Sequence, residues 1–192
     1  MNPFILSCLV FVLSLKGWTQ NDFKTKTVQI LASSELFIKG DTNISEFNCN
    51  FNTLYLGEFK HVTYSKKENE IRFKDAILSL KNKGFDCGNS AINKDFHSLL
   101  KTKEYPIITL ELTEITLNEH KKGKAHVKIT IAGTKKEYSF PIDFFSSPTN
   151  RYVGKLKLDI RDFNLEPPKK LFGLIVIDEK IEINFDLVAE IF

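Results

Sequence analysis

Residues 124–144 read KAHVKITIAGTKKEYSFPIDF, and the alternation in that stretch decides the fold. Ala125, Val127, Ile129 and Ile131 take every second place, with Lys124, His126, Lys128 and Thr130 between them. After Gly133-Thr134 the pattern resumes: Tyr138, Phe140, Ile142 and Phe144 are separated by polar residues such as Ser139 and Asp143. Side chains of a strand point alternately to opposite faces, so a period of two marks a strand wet on one side and buried on the other. Two such runs joined at a Gly-containing turn predict a β-hairpin.

Working outward, the same period recurs. Gly154, Leu156, Leu158 and Ile160 alternate with Lys155, Lys157 and Asp159. Ile181, Ile183, Phe185, Leu187 and Ala189 do so near the C-terminus, and Phe47, Cys49 and Phe51 share one face early in the chain. Ile107–Leu117 predicts a long strand, and Val28–Ile38 one or two early ones. The run from Ile71 and Phe73 to Ile77, Leu78 and Leu80 slips in parity, which predicts a bulge. One segment breaks the pattern. Ser90–Thr102 has Ile92, Phe96, Leu99 and Leu100 on a helical stripe, with Asn89 or Ser90 as cap and Tyr105-Pro106 beyond it. Pro167-Pro168 interrupts a second stretch, Asp162–Gly173. About eight antiparallel strands and one short α-helix predict an all-β protein. Closure into an eight-stranded antiparallel barrel would hide its edges, and such a barrel is either filled or holds one small ligand.

Composition narrows the function classes. The chain has 192 residues, of which 42% are hydrophobic, which suits one domain with a sizeable core. A net charge of +3, from 27 basic and 24 acidic residues, is too balanced to imply nucleic acid or an anionic membrane. Phe4–Leu15 is the one long apolar run. It is too short to span a bilayer core of about 30 Å, but it has the length of a signal-peptide core. Gly17 and Thr19 supply small residues for a cut before Gln20. The expectation is a signal peptide over 1–19 and one exported domain over 20–192, with no stable membrane insertion; a buried or anchoring N-terminal helix is the alternative. Cleavage would remove Cys8 and leave Cys49 and Cys87. An even pair in an oxidising compartment, periplasm or exterior, reads as a disulfide; two separately buried thiols is the other reading.

Four stretches in order carry a resemblance: FNCNF (Phe47–Phe51), NSAINKDFHSLLKTKEYPIITLEL (Asn89–Leu112), the hairpin from Val127 to Phe144, and GKLKLDIRDFNLEPPKKLFGLIVIDEKIEINFDL (Gly154–Leu187), around the pair Asp162 and Phe163. Together they resemble the YceI-like family, lipocalin-like domains typified by exported polyisoprenoid-binding proteins. The resemblance implies a lipocalin-like barrel around a lipophilic cavity, and binding of an isoprenoid or fatty-acid-like amphiphile without catalysis or cofactor. Where typical members close the first strand with a His, this chain reads IKGDTNISEF.

The residues themselves show no chemical constellation. His61, His97, His120 and His126 are too scattered for a zinc motif, and no phosphate loop or Ser-His-Asp order stands out. Asp95 and Asp162 are candidates for a polar rim, although helix capping and turn formation explain them as well. Lys101 and Lys103 suit the negative end of the helix; an anionic head group is another partner for them, but helix electrostatics suffices. The basic run 120–124 reads as a solvated turn. The expected cavity lining is Phe47, Phe51, Phe96, Leu99, Ile129, Phe140, Ile142, Leu156, Leu158, Phe163, Phe172 and Phe185, with plain core packing as the competing reading for each. Two functions follow: an exported carrier of an apolar lipid, or a filled barrel serving as a structural or protein-interaction module at the cell envelope. The oligomeric state is left open, a dimer included.

Overall fold

A computed structural model describes residues 22–118, 122–167 and 176–192. The strands are β1 (Lys24–Ile30), β2 (Glu35–Thr42), β3 (Glu46–Phe51), β4 (Lys60–Lys67), β5 (Glu70–Lys81), β6 (Phe85–Asp86), β7 (Ile107–Leu117), β8 (Lys122–Ile131), β9 (Thr134–Phe145), β10 (Asn150–Asp159) and β11 (Ile177–Ile191); the helix α1 is Ser90–Leu99. Every pairing is antiparallel. The order β1-β4-β5-β7-β8-β9-β10-β11 returns to β1, so eight strands form a closed ring. The expected eight-stranded barrel is therefore present, with β2, β3 and β6 added to it.

Closure depends on β11. This 15-residue strand pairs with β10 along one edge. Along its other edge it meets β2 (Ile183 opposite Ile38) and then β1 (Val28 opposite Ile191). The predicted early strand is thus two strands, broken at 31–34. At the break Leu31 N donates to Val188 O at 2.8 Å, Ser34 Oγ donates to the same carbonyl at 3.2 Å, and Val188 N donates to Ser34 Oγ at 2.9 Å. The buried Ser34 hydroxyl replaces the missing ladder bonds, so no backbone group of Val188 is left unpaired there.

Local chemistry sets the details. The parity slip in β5 is a bulge between Arg72 and Ala76, with Asp75 at φ 60. The β8–β9 turn is Ala132-Gly133, one residue earlier than the sequence suggests, since Ile131 pairs with Thr134. Both turn residues have positive φ, 47 and 80, as a two-residue hairpin matched to strand twist requires. A Cβ on Gly133 would also lie 2.8 Å from the Tyr105 ring. Helix α1 is capped by Asn89, whose side chain accepts from Ala91 N and Ile92 N. It stops at Leu99 rather than Thr102, because Lys101 turns left-handed at φ 50. Thr102 N then donates to His97 O and Lys101 N to Ser98 O, a Schellman closure that satisfies the last carbonyls. Ile92, expected on the apolar stripe, is exposed, and the stripe narrows to Phe96, Leu99 and Leu100.

Cys49 in β3 is bonded to Cys87, which joins β6 to α1. The bridge pins the start of the helix to the sheet, and both residues are buried. Cross-linking across 38 residues restricts the unfolded chain. Replacing both cysteines by Ala is expected to lower the unfolding free energy by about 2–4 kcal/mol, read as a reduced urea midpoint with a steeper slope, because the chain without the cross-link unfolds to a more open ensemble.

Candidate functional site

The barrel is mostly solid. Ile129, Ile142, Leu156 and Leu158 point inward and are buried, as alternation requires. Phe140 and Phe185 meet edge to face at 5.5 Å, and the Phe185 ring lies across Gly154. Phe163 is 1% exposed and stacks on Tyr138, whose hydroxyl donates to Asp162 Oδ2 at 2.6 Å. Burial, reinforced by that bond, pushes the Tyr138 hydroxyl well above its usual range, so it remains a donor. Asp162 thus anchors a ring in the core.

Among the described residues an apolar gap lies where α1 crosses the end of the barrel. Phe96 and Leu99 of the helix, followed by Leu100, form one wall. Leu36 and Ile38 of β2, Phe47 of β3 and Phe85 of β6 form a second. Leu80, Ile108 and Ile131 come from β5, β7 and β8; Ile177, Ile181 and Ile183 come from β11; Ile160 and Leu165 flank a 3-10 turn. Asp178 is the one charged residue on the wall among those described. The volume is about 50 Å³, room for only a few waters and far below the roughly 300 Å³ of a preformed small-molecule site.

Of the expected lining residues, Phe47, Phe96 and Leu99 are brought together here. Phe47 reaches the gap because its ring lies over Gly40, where a Cβ would clash at 2.4 Å. Phe51 lies beside the cavity, edge to face with Phe85 at 4.8 Å. Ile129, Phe140, Ile142, Leu156, Leu158, Phe163 and Phe185 fill the barrel and do not border this cavity. Phe172, like His120 and the N-terminal segment 1–19, lies outside the described residues. Several of the additional lining residues, Leu36, Leu80, Ile108, Ile131 and Ile177, sit at or next to the strand ends on the helix side. That is legible only when each strand's direction is known.

The helix packs Phe96 and Leu99 against the core and is tied by hydrogen bonds at both ends. None of its residues is fully buried. At its start Cys87 N donates to Asn93 Oδ1 at 2.7 Å, and Asp86 Oδ1 accepts from Asn93 Nδ2 and Gly88 N, both at 2.9 Å. Beyond its end, buried Asn82 donates to Thr102 Oγ1 at 3.1 Å and to Tyr105 O at 2.9 Å. His97 is half-buried and lies 3.5 Å from that same hydroxyl. Among the described residues no group of three or more His, Cys, Asp or Glu could hold a metal ion.

A closed antiparallel ring, capped by one helix over an apolar cavity, defines a lipocalin-like barrel. The family model for the YceI-like domain matches residues 38–189, and the chain belongs to that family. Among solved structures it is similar to BcnA of Burkholderia cenocepacia, at 18% identity and a TM-score of 0.65, covering 83% of this chain and 98% of that one. It is also similar to a polyisoprenoid binding domain from Saccharophagus degradans implicated in plant cell wall breakdown, at 15% identity and a TM-score of 0.55, covering 85% and 97%. A third likeness is to the Campylobacter jejuni YCEI protein, at 15% identity and a TM-score of 0.50 over 100% and 99% of the two chains. No curated protein matches the chain.

The helix anchor is acid-sensitive. The Asn93 amide, and after it the Gly88 N–H, holds the Asp86 carboxyl below its usual value of 3.8. A group whose folded value is depressed stabilises the fold above the unfolded value, and that contribution fades as pH falls through the folded value. Amide exchange at Gly88 and at the first turn of α1 is therefore expected to accelerate, relative to the barrel strands, as pH drops below about 4. Asn93→Ala should flatten that pH dependence.

Proposed function

We propose that this protein is an exported, non-catalytic carrier that takes the apolar chain of an isoprenoid or fatty-acid-like lipid into the cavity beneath α1. The observation that carries the reading is the cavity itself: a gap walled almost wholly by apolar side chains, in a member of the YceI-like family. The Saccharophagus relative's polyisoprenoid binding points to the same ligand class. Transfer of the chain from water supplies about 0.8 kcal/mol per buried CH₂, so a long tail binds without any specific polar contact.

The volume of about 50 Å³ requires that binding enlarge the space. A ligand that binds only an opened form makes that form dominant, as in other cryptic pockets. The cap is the natural part to yield, since α1 buries none of its residues completely. The same volume also favours a second reading, a filled barrel acting as a structural or protein-interaction module.

Native mass spectrometry after mild extraction decides between them: the carrier retains a lipid or takes one up from isoprenoids and fatty acids, whereas the filled barrel stays empty. Phe96→Asp, which puts a carboxylate on the cavity wall, is expected to lower lipid affinity about a hundredfold or more, because a charge has no partner there. A thermal melt of the same variant reports whether the barrel itself survives.

Export is supported by the apolar core Phe4–Leu15 and by a disulfide suited to an oxidising compartment. The domain over residues 20–192 is then the mature protein. Its intact mass from the exported fraction is expected to correspond to a chain starting at Gln20; retention of residues 1–19 would contradict this.

A further inference from the structure

Beside the apolar cavity lies an open cleft of about 370 Å³ with a different lining. Ser98 and Lys101 project from the end of α1 and its closing turn, and Asn164 and Glu166 from the segment after the 3-10 turn at Ile160–Phe163; Asp95 completes the polar set. Two residues border both spaces: Leu99 and Leu165. The partition between a polar cleft and an apolar cavity therefore includes two leucine side chains, one on the cap helix and one on the facing segment.

We infer that Leu99 and Leu165 form a gate, and that the cleft receives the head group of the amphiphile whose tail enters the cavity. This rests on the lipid-binding reading above and adds the head-group class. Leu99 is half-buried on a helix without a fully buried residue, whereas Leu165 is buried, so Leu99 is the side chain that moves aside to join the two spaces into one amphiphilic site. Hydrogen-bond donors and acceptors are both present: a hydroxyl, an amide, an ammonium and a carboxylate.

The charge balance selects the head. With Asp95 counted as engaged elsewhere, the cleft holds one carboxylate, Glu166, and one ammonium, Lys101; with Asp95 included, carboxylates outnumber ammonium. Neither count leaves surplus positive charge among the described residues for a phosphate or carboxylate head. The site fits an uncharged, hydroxyl-bearing head, that of a prenyl or fatty alcohol.

The test is competition against N-phenylnaphthylamine fluorescence on the full chain, with three ligands that share one C20 isoprenoid skeleton: phytane, geranylgeraniol and geranylgeranyl pyrophosphate. Geranylgeraniol is expected to displace the probe at a concentration roughly tenfold below either of the others. Glu166→Lys, at an exposed position, should remove or reverse the preference over the pyrophosphate. Leu99→Trp, which thickens the partition, should erase the advantage over phytane while phytane still binds. Equal binding of all three, tighter binding of the pyrophosphate by the unaltered protein, or indifference to Glu166→Lys would overturn the head-group assignment and leave the carrier reading standing. A protein that binds neither the probe nor phytane would end both.

Discussion

The structure depends on β11 pairing on both edges. An antiparallel sheet of this length exposes a row of unpaired N–H and C=O groups at each free edge, and such edges recruit other chains. Here β11 holds β10 on one side and both β2 and β1 on the other, which turns an open sheet into a ring. The first strand is broken at 31–34, so that β1 pairs with β11 and β4 while β2 pairs with β11 and β3. Ser34 bridges the break by lending a hydroxyl in place of a backbone group.

A closed ring of eight strands has an interior just wide enough for side chains to fill. Whether it holds a ligand is decided by where large side chains stop. Phe140, Phe163 and Phe185 pack against one another's neighbours and the branched residues of β8 and β10, leaving the middle of the barrel solid. Towards α1 the filling thins. The helix replaces strand side chains with three apolar residues of its own, and that substitution leaves a gap lined by the ends of six or more elements.

The cap is fastened differently from the wall. The wall is built from strand ladders, though β9 and β10 pair only through 142–145 and 151–154, whereas α1 is tied by a disulfide and the Asp86–Asn93 pair at one end and by Asn82 at the other. Local stability follows such differences: elements with few buried contacts open at lower free energy than the laddered core.

Much of the architecture was legible in the residues. Period-two alternation fixed the strands and their inward faces, because one buried face leaves a regular trace in sequence; Ile129, Ile142, Leu156 and Leu158 are buried as that trace requires. The Cys49–Cys87 bond was one of the two readings open for the pair once Cys8 was set aside with the expected signal peptide, and the structure forms it. The helix end at Leu99 and the exposure of Ile92 were not legible, since a left-handed Lys101 and the tilt of the helix on the barrel are set by packing. Least legible was the cavity. Phe47 lines it while Phe140 and Phe185, on strands of the same alternation, do not. Periodicity reports which face a side chain takes, but not its height along the barrel axis or what stands opposite. Those depend on strand direction, register and the helix crossing the end, which exist only once distant segments meet.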